Sequence, residues 1–254
     1  MTATTEDDFL GGRIRLRQPR AGYRAGVDPV LLAASVPARP GQSVLELGTG
    51  TGAALLCLMA RVAGLDGVGV ERDPQLAALA AENAESNGIG AHIVEADLQE
   101  MPAELRAMSF DHVLANPPFF DRTGGSPAQD ASREGGRGEE TPLPTWTEAG
   151  IRRLKPGGVL SIIQRIERLP QLLASLDQRV GDLVVLPLAA RSGREAKLFV
   201  LQAKKGAKGR FRLLPPFVLH SGPAHLADGD DYTPETSSIL RDAAPLDLVA
   251  LMNR

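Results

Sequence analysis

Between residues 43 and 203, short apolar and β-branched runs alternate with longer segments of helical periodicity. The short runs predict strands at 44–47, 67–70, 92–95, 110–115 and 159–164, and the longer segments predict helices at 53–62, 74–86 and 147–154. Asp73 and Pro74 are a typical N-cap and first helical residue, and Asn87-Gly88 is a typical helix end. Strands that alternate with helices indicate an α/β fold with a parallel sheet and crossover helices.

Three segments depart from this alternation. The runs 183–187 and 197–201, joined by "ARSGRE", are close enough to predict an antiparallel pair at one end of the sheet. The N-terminal "GGRIRLRQPR" alternates arginine with aliphatic residues, so a strand there places Arg13, Arg15 and Arg17 on one basic face. Residues 121–141 contain five glycines and no large apolar side chain, which predicts a mobile loop.

Composition narrows the class of protein. The chain has 254 residues, 43% of them hydrophobic, and a net charge of -3, which gives no global reason to expect a polyanionic partner. Cys57 is the single cysteine, and the N-terminus "MTATTEDDFL" has no signal-peptide core. No apolar run reaches the roughly 18 residues of a membrane span, so we expect a soluble cytoplasmic protein. The four histidines show no ligand spacing, and we expect no metal site.

A glycine-rich turn, "LELGTGTG" at residues 45–52, follows the first predicted strand and opens a predicted helix. In this context Gly48, Gly50 and Gly52 remove the Cβ atoms that would keep a nucleotide-like ligand from the backbone. The spacing is GxGxG rather than the GxGxxG of dinucleotide binders, which disfavours a nicotinamide-dependent dehydrogenase. Glu71 and Asp97 follow the next two strands, and at the same sheet edge an acidic side chain can accept hydrogen bonds from a ribose.

The stretch "NPPFF" closes the fourth predicted strand. An exocyclic amine on a base, or an amide nitrogen, is a poor nucleophile because its lone pair is delocalised. The Asn116 side-chain carbonyl and the Pro117 backbone carbonyl could accept its two N–H groups and favour the charge that develops on nitrogen. Phe119 offers a face on which a base can stack. The predicted mechanism is direct in-line transfer to such a nitrogen, with no covalent enzyme intermediate.

The order of strand, glycine turn and two acids resembles the class I S-adenosylmethionine-dependent methyltransferases, and "RRLKPGGVL" resembles the same family. That resemblance implies a Rossmann-like seven-stranded sheet with the last strand antiparallel and helices on both faces. It implies a methyltransferase domain at 43–254, preceded by a basic extension at 1–42 that packs on it. It also implies cofactor contacts by Glu46 near the methionine end, Gly48, Gly50 and Gly52 in the turn, Glu71 at the ribose, and Asp97 with Leu98 at the adenine.

"NPPF" resembles the (D/N)PP(Y/F) motif of amino-methyltransferases, which act on adenine N6, guanine N2 of rRNA or glutamine of release factors. The segments at 16–35 and 215–240 resemble the bacterial tRNA(Val) adenine-37 N6-methyltransferases, in which a segment like "GYRAGVDPVLLAA" helps close over the cofactor. Asp28 and Arg24 in this segment either contact the cofactor or tie the segment to the sheet. The glycine-rich "ASREGGRGEE" after the motif departs from that family, so guanine N2 and glutamine stay open as acceptors.

Two basic clusters predict an RNA partner, with tRNA as the best interpretation. The alternative is that both clusters are solvated faces. A protein of the same fold that binds RNA without catalysis is the non-enzyme alternative, but the glycine turn and the NPPF motif are both intact. The predicted contacts are Arg13, Arg15, Arg17, Arg20 and Arg24 in the first cluster, and Lys204, Lys205 and Lys208, followed by Arg210 and Arg212, in the second.

Overall fold

A computed structural model describes residues 3–21, 24–119, 141–224 and 231–252. The strands within these ranges are β1 (Thr4–Phe9), β2 (Ile14–Pro19), β3 (Ser43–Leu47), β4 (Asp66–Glu71), β5 (Ala91–Glu95), β6 (Phe110–Ala115), β7 (Leu154–Arg165), β8 (Val180–Ala189), β9 (Ala196–Lys205), β10 (Arg212–Leu213) and β11 (Phe217–Val218). The α-helices are α1 (Val27–Ser35), α2 (Ala53–Arg61), α3 (Pro74–Ser86), α4 (Ala103–Ala107), α5 (Leu143–Arg153), α6 (Leu169–Ser175), α7 (Pro234–Asp242) and α8 (Leu248–Met252). None of these helices is both long and apolar enough to cross a membrane.

The central sheet has the strand order β10-β8-β9-β7-β6-β3-β4-β5, and β11 also pairs with β8. Strand β9 runs antiparallel to both of its neighbours, β7 and β8, and the other pairings are parallel. The predicted seven-stranded sheet with an antiparallel last strand is therefore confirmed by β3 to β9. The two-residue strands β10 and β11 extend its edge beyond what the sequence pattern predicted.

The core lies on both sides of this sheet because successive strand residues point to opposite faces. Val44 and Leu114 belong to a cluster with the buried residues of α1 and α2. Leu45 and Val113, each one residue away, belong to a second cluster with buried residues of α4, α5 and α6. The prediction of helices on both faces is confirmed.

Helix α3 has the predicted bounds and the predicted cap. The Asp73 carboxylate accepts hydrogen bonds from the backbone N–H groups of Gln75 (2.9 Å) and Leu76 (3.3 Å). At the other end, Asn87 is the C-cap and Gly88 has a φ of 66°. A left-handed residue just after the helix is the geometry that Asn-Gly favours.

The N-terminal hairpin of β1 and β2 shows the predicted alternation, with Ile14 and Leu16 buried and the arginines exposed. The prediction that this face is basic needs correction, because the acidic β1 lies beside it. Asp8 is paired with Arg15 across the hairpin, and their charged groups lie 3.5 Å apart. Arg17 lies opposite Glu6 and forms an ion pair with Glu82 at 3.7 Å. The exposed face therefore carries both signs of charge.

Two asparagines at the end of α3 hold β2 through their side-chain amides. The Asn87 amide accepts from Arg15 N (2.8 Å) and donates to Arg15 O (2.7 Å). The Asn83 amide makes the same pair with Arg17, accepting from N at 2.8 Å and donating to O at 3.1 Å. Asn83 precedes Asn87, and α3 begins where β4 ends, so the chain from Arg15 toward Pro19 runs toward the carboxyl edge of the sheet.

Some predictions fall outside the described residues. They are the mobile loop at 121–141, except for Thr141, and the parts of the two family-like segments at 22–23 and 225–230.

Candidate active site

The carboxyl ends of β3, β4 and β6 meet at one edge of the sheet. Strand β3 is parallel to β4 on one side and to β6 on the other, with Leu47 beside Val70 and Ala115. The residues that follow, Gly48 and Asn116, therefore stand on neighbouring strands, which are about 4.8 Å apart in a sheet. The glycine turn and the NPPF stretch, which are distant in the sequence, are thus adjacent in space.

All three glycines of the turn have positive φ, with values of 66° at Gly48, 57° at Gly50 and 90° at Gly52. An added Cβ on Gly50 would meet nothing within 4 Å, so there is open space beside its backbone. A Cβ on Gly48 would lie 2.5 Å from Cη2 of Trp146, and a Cβ on Gly52 would lie 3.2 Å from Cδ1 of Leu56. Packing against Trp146 therefore favours glycine at position 48, and the left-handed backbone favours it at position 52.

Glu71 links the turn to the end of β4. One carboxylate oxygen accepts a hydrogen bond from Gly50 N at 2.8 Å, and the other accepts from Asp73 N at 2.9 Å. The side chain is largely buried. A carboxylate oxygen has a second lone pair, so each can still accept a hydroxyl donor. Glu71 therefore fixes the turn and keeps acceptor capacity at the position where the sequence predicted a ribose contact.

Glu46 lies inside the turn and is almost fully buried. Its Oε2 accepts hydrogen bonds from Thr49 Oγ1 at 2.7 Å and Leu55 N at 2.9 Å. Burial, with a smaller contribution from the negative charge of Glu71, raises the pKa of the carboxyl group from 4.5 to about 8, although the two hydrogen bonds lower it. Glu46 is therefore largely neutral at pH 7 and joins the turn to the start of α2.

The other predicted cofactor residues surround this edge. Asp97 follows β5, and one of its oxygens accepts from Gln99 N at 2.8 Å. Leu98 is partly buried against the cluster that contains α5. Asp28 lies in the first turn of α1. Arg24 donates to both carboxylate oxygens of Asp7, at 2.7 and 2.6 Å, so it ties this segment to the hairpin rather than to the central sheet.

The NPPF stretch begins directly after β6. Oδ1 of Asn116 is shielded from solvent, Pro117 is buried, and Pro118 is exposed. Phe119 is half-buried. The Pro117 carbonyl accepts a hydrogen bond of 3.1 Å from Nε2 of Gln164, a fully buried residue near the end of β7. Both predicted acceptors of the amine are therefore held in an environment that limits water.

The two basic clusters lie at different edges. Arg20 and Arg24 follow β2 toward the carboxyl edge, where Gly48 and Asn116 stand. Lys204 is level with Val159 on β7, which is level with His112 on β6. Asn116 is four residues beyond His112, so Lys204 is displaced by about 13 Å along the strands toward the opposite edge.

The Lys205 ammonium donates to the carbonyls of Ile151 and Leu154, both at 2.7 Å. It therefore caps the end of α5, and burial lowers its pKa. Across the described ranges, no group of three or more His, Cys, Asp or Glu side chains could hold a metal ion.

Three residues that shape this site were not singled out from the sequence. Gln164 interrupts the apolar strand "VLSIIQR", Asn83 interrupts the alanine-rich face of α3, and Trp146 fills the space above Gly48. A polar residue at a position that periodicity predicts to be buried is the available signal for the first two, since such a residue must find a partner. The contact of Trp146 with Gly48 has no sequence signal because it depends on how α5 packs.

A family model described as "Methyltransferase small domain" matches residues 25–131. Two curated relatives are named tRNA1(Val) (adenine(37)-N6)-methyltransferase. The protein from Porphyromonas gingivalis is 33% identical over 175 residues, which cover 65% of this chain and 68% of the relative. The protein from Tolumonas auensis is 29% identical over 174 residues, which cover 65% and 69%.

Solved structures show the same fold at lower identity. A crystal structure described as a predicted O-methyltransferase from Agrobacterium tumefaciens has a TM-score of 0.69 and 23% identity, covering 87% of this chain and 98% of that one. The 16S rRNA N2 G1207 methyltransferase of T. thermophilus, solved with AdoMet and guanosine, has a TM-score of 0.54 and 24% identity, covering 80% and 50%.

Three findings agree: the fold, the position of the glycine turn beside NPPF, and the similarity to the Porphyromonas gingivalis protein. That relative is 33% identical and is covered over 68% of its length. The chain belongs to the tRNA1(Val) (adenine(37)-N6)-methyltransferase family.

Proposed function

We propose that the chain transfers a methyl group from S-adenosylmethionine to N6 of an adenine in tRNA. The observation that carries this proposal is the pairing of β3 with β6, which sets the glycine turn beside Asn116 and Pro117. The relatives named above act, by their names, on adenine 37 of tRNA1(Val), so that nucleotide is the first acceptor to test.

The residues at this edge fit the cofactor. The backbone at Gly50 has open space where a Cβ would project, so a ligand can approach it closely. Glu71 has acceptor capacity for ribose hydroxyls, and we assign it that role. Asp97 and Leu98 flank the next strand end, where we place the adenine, and Glu46 and Asp28 are assigned to the methionine side. When bound, S-adenosylmethionine supplies an electrophilic methyl group on a sulfonium sulfur.

The chain's own residues act on the acceptor nitrogen. Asn116 Oδ1 and the Pro117 carbonyl accept the two N–H groups of the amine and hold the nitrogen lone pair toward the methyl position. Positive charge develops on the nitrogen during transfer, and two fixed carbonyl dipoles favour it. The two prolines restrict the backbone that carries these acceptors. Phe119 stacks on the base, a contact worth roughly 1–3 kcal/mol.

We place the main RNA contact on the hairpin arginines, with Arg20 as its central residue. Arg20 lies toward the edge where the acceptor must enter, and no ion pair joins it to another described residue. Arg13, Arg15, Arg17 and Arg24 add charge, although Asp8, Glu82 and Asp7 neutralise the last three in part. Lys204 and Lys208 reach a more distant part of the RNA, and Lys205 is withdrawn from the set because its ammonium caps α5.

The direct test is to identify the methylated nucleoside. Unmodified tRNA is incubated with the protein and methyl-labelled S-adenosylmethionine, then digested to nucleosides and separated. The expected product is N6-methyladenosine. Label in N2-methylguanosine, or label only in protein, would overturn the acceptor assignment.

The Asn116→Ala variant tests the assigned role of the amide. Turnover is expected to fall by at least about 100-fold, the scale on which loss of one preorganised polar group acts. Cofactor affinity, measured by calorimetry, is expected to stay within about twofold because the variant leaves the glycine turn intact. Asn87→Ala, at the far end of α3, is the control and should keep its kcat at saturating tRNA, because Asn87 contacts the hairpin backbone and not the NPPF stretch.

A further inference from the structure

Gln164 is a buried polar residue in the otherwise apolar end of β7. None of its surface is exposed, yet both ends of its amide are engaged. Its Oε1 accepts a hydrogen bond of 2.8 Å from Arg165 N, and its Nε2 donates to Pro117 O at 3.1 Å and to Pro118 O at 3.4 Å. The amide orientation is fixed by these partners, because a backbone N–H needs an acceptor and a backbone carbonyl needs a donor.

The side chain of Gln164 makes hydrogen bonds beyond the point where the backbone pairing of β6 and β7 ends. Strands β6 and β7 pair in register up to Ala115 and Ile162. Two and three residues further on, Pro117 and Pro118 have no N–H and cannot continue the ladder as donors. The amide of Gln164, which is two residues beyond Ile162, contacts their carbonyls instead. The side chain of Gln164 therefore links the NPPF backbone to the sheet beyond the last paired residues.

We infer that Gln164 is a positioning residue that orients the Pro117 carbonyl toward the acceptor amine. The inference rests on the proposed function. A carbonyl oxygen has two lone pairs, and Gln164 engages one of them. The second is then left in a fixed direction, so it can accept an N–H of the amine while Asn116 accepts the other. Gln164 acts through Pro117 and has no contact with the acceptor in this arrangement.

The first test compares Gln164→Met with Gln202→Met. Gln202 is a matched control because it is also a buried glutamine of the sheet that donates to a backbone carbonyl, Ser35 O, at 2.6 Å, away from NPPF. For Gln164→Met we expect kcat on tRNA to fall by at least about tenfold, since a small misplacement of a reacting group has effects of that order. Cofactor affinity should be unchanged by calorimetry. Gln202→Met should lose thermal stability but keep kcat.

The inference would be overturned if Gln164→Met and Gln202→Met lost kcat equally, or if Gln164→Met kept the kcat of the wild-type protein. If wild-type protein itself fails to methylate tRNA, the proposed function fails instead, so the two failures are distinguishable.

A second variant, Gln164→Glu, gives a signature that loss of packing cannot produce. The protonated acid can accept from Arg165 N with one oxygen and donate its O–H to Pro117 O with the other. The ionised form has no proton to donate and faces a carbonyl oxygen with a negative charge. The kcat of the variant relative to wild type should therefore fall as pH rises from about 6 to about 9. A ratio that is constant with pH contradicts the positioning role, and this measurement decides the question if Gln164→Met does not fold.

Discussion

The Asn83→Leu variant tests whether one buried amide supports both the hairpin and the cofactor turn. Asn83 is fully buried, and its side chain makes two hydrogen bonds to Arg17 and a third, of 2.9 Å, to Thr51 O in the glycine turn. Leucine keeps the volume but removes all three bonds. At about 1 kcal/mol net for each, the free energy of unfolding should fall by about 3 kcal/mol. Urea denaturation monitored by circular dichroism measures this loss.

The same variant should weaken cofactor binding, because Thr51 lies between Gly50 and Gly52. Loss of the hydrogen bond to Thr51 O, worth about 1 kcal/mol, corresponds to a roughly fivefold higher Kd for S-adenosylmethionine. Asn87→Leu is the control, since Asn87 holds Arg15 in the same way but makes no bond to the turn. It should lose stability and keep the wild-type Kd. If both variants have the same Kd, Asn83 does not couple the hairpin to the turn.

Two further predictions concern charge. In wild type, the stabilisation associated with the Glu46 carboxyl is fully present below its ordinary pKa of 4.5 and is lost as pH rises through about 8, because the folded state binds the proton more tightly. Glu46→Gln keeps an oxygen that accepts from Thr49 and Leu55 but does not titrate. Its free energy of unfolding should therefore change less with pH over this range. At pH 8 it should exceed that of the wild-type protein, by at most about 5 kcal/mol. Parallel pH profiles for the two proteins would contradict the raised pKa. The Arg20→Glu variant should lower the salt dependence of tRNA binding more than Lys208→Glu does, by about one unit in the slope of log K against log salt for each phosphate that the protein no longer neutralises. The opposite order, measured by fluorescence anisotropy between about 50 and 200 mM salt, would move the RNA-binding surface to the other edge of the sheet.

The elements that the sequence predicted well are those whose burial follows from a local pattern. Helix α3 matched its predicted bounds because Asp73, Pro74 and Asn87-Gly88 are local signals that need no tertiary partner. Strand β1 was not predicted because "TTEDDF" has no apolar alternation. It is held by the β2 ladder and by the pairs of Asp8 with Arg15 and of Asp7 with Arg24. These ion pairs depend on how the two strands align, and the pattern of hydrophobic and polar residues does not specify them.

The site residues that the sequence predicted are likewise those marked by a local pattern. Glycines and acids at strand ends follow from the rule that open parallel sheets bind ligands at their carboxyl edge. The structure adds a reason for Gly48 that the sequence did not show, because Trp146, 98 residues later, lies where its Cβ would project. Gln164 was likewise hidden by its distance of 47 residues from Pro117.

Gln164 and Asn83 both use a side-chain amide to bond backbone groups that have no backbone partner, at two places beside the site. In each, a segment of extended chain reaches a position where a backbone partner is missing: Pro117 has no N–H for the neighbouring strand, and β2 lies on a helix whose backbone groups are internally bonded. A side-chain amide offers a donor and an acceptor, as a peptide group does, so it can replace the missing partner. A carboxylate would accept but not donate, and its burial next to a carbonyl oxygen would be unfavourable. The protonation state of an amide is also the same at every physiological pH. We therefore expect that the geometry around Asn116 and Pro117 is insensitive to pH in the wild-type protein. In the Gln164→Glu variant, the carboxyl group should make this geometry depend on pH.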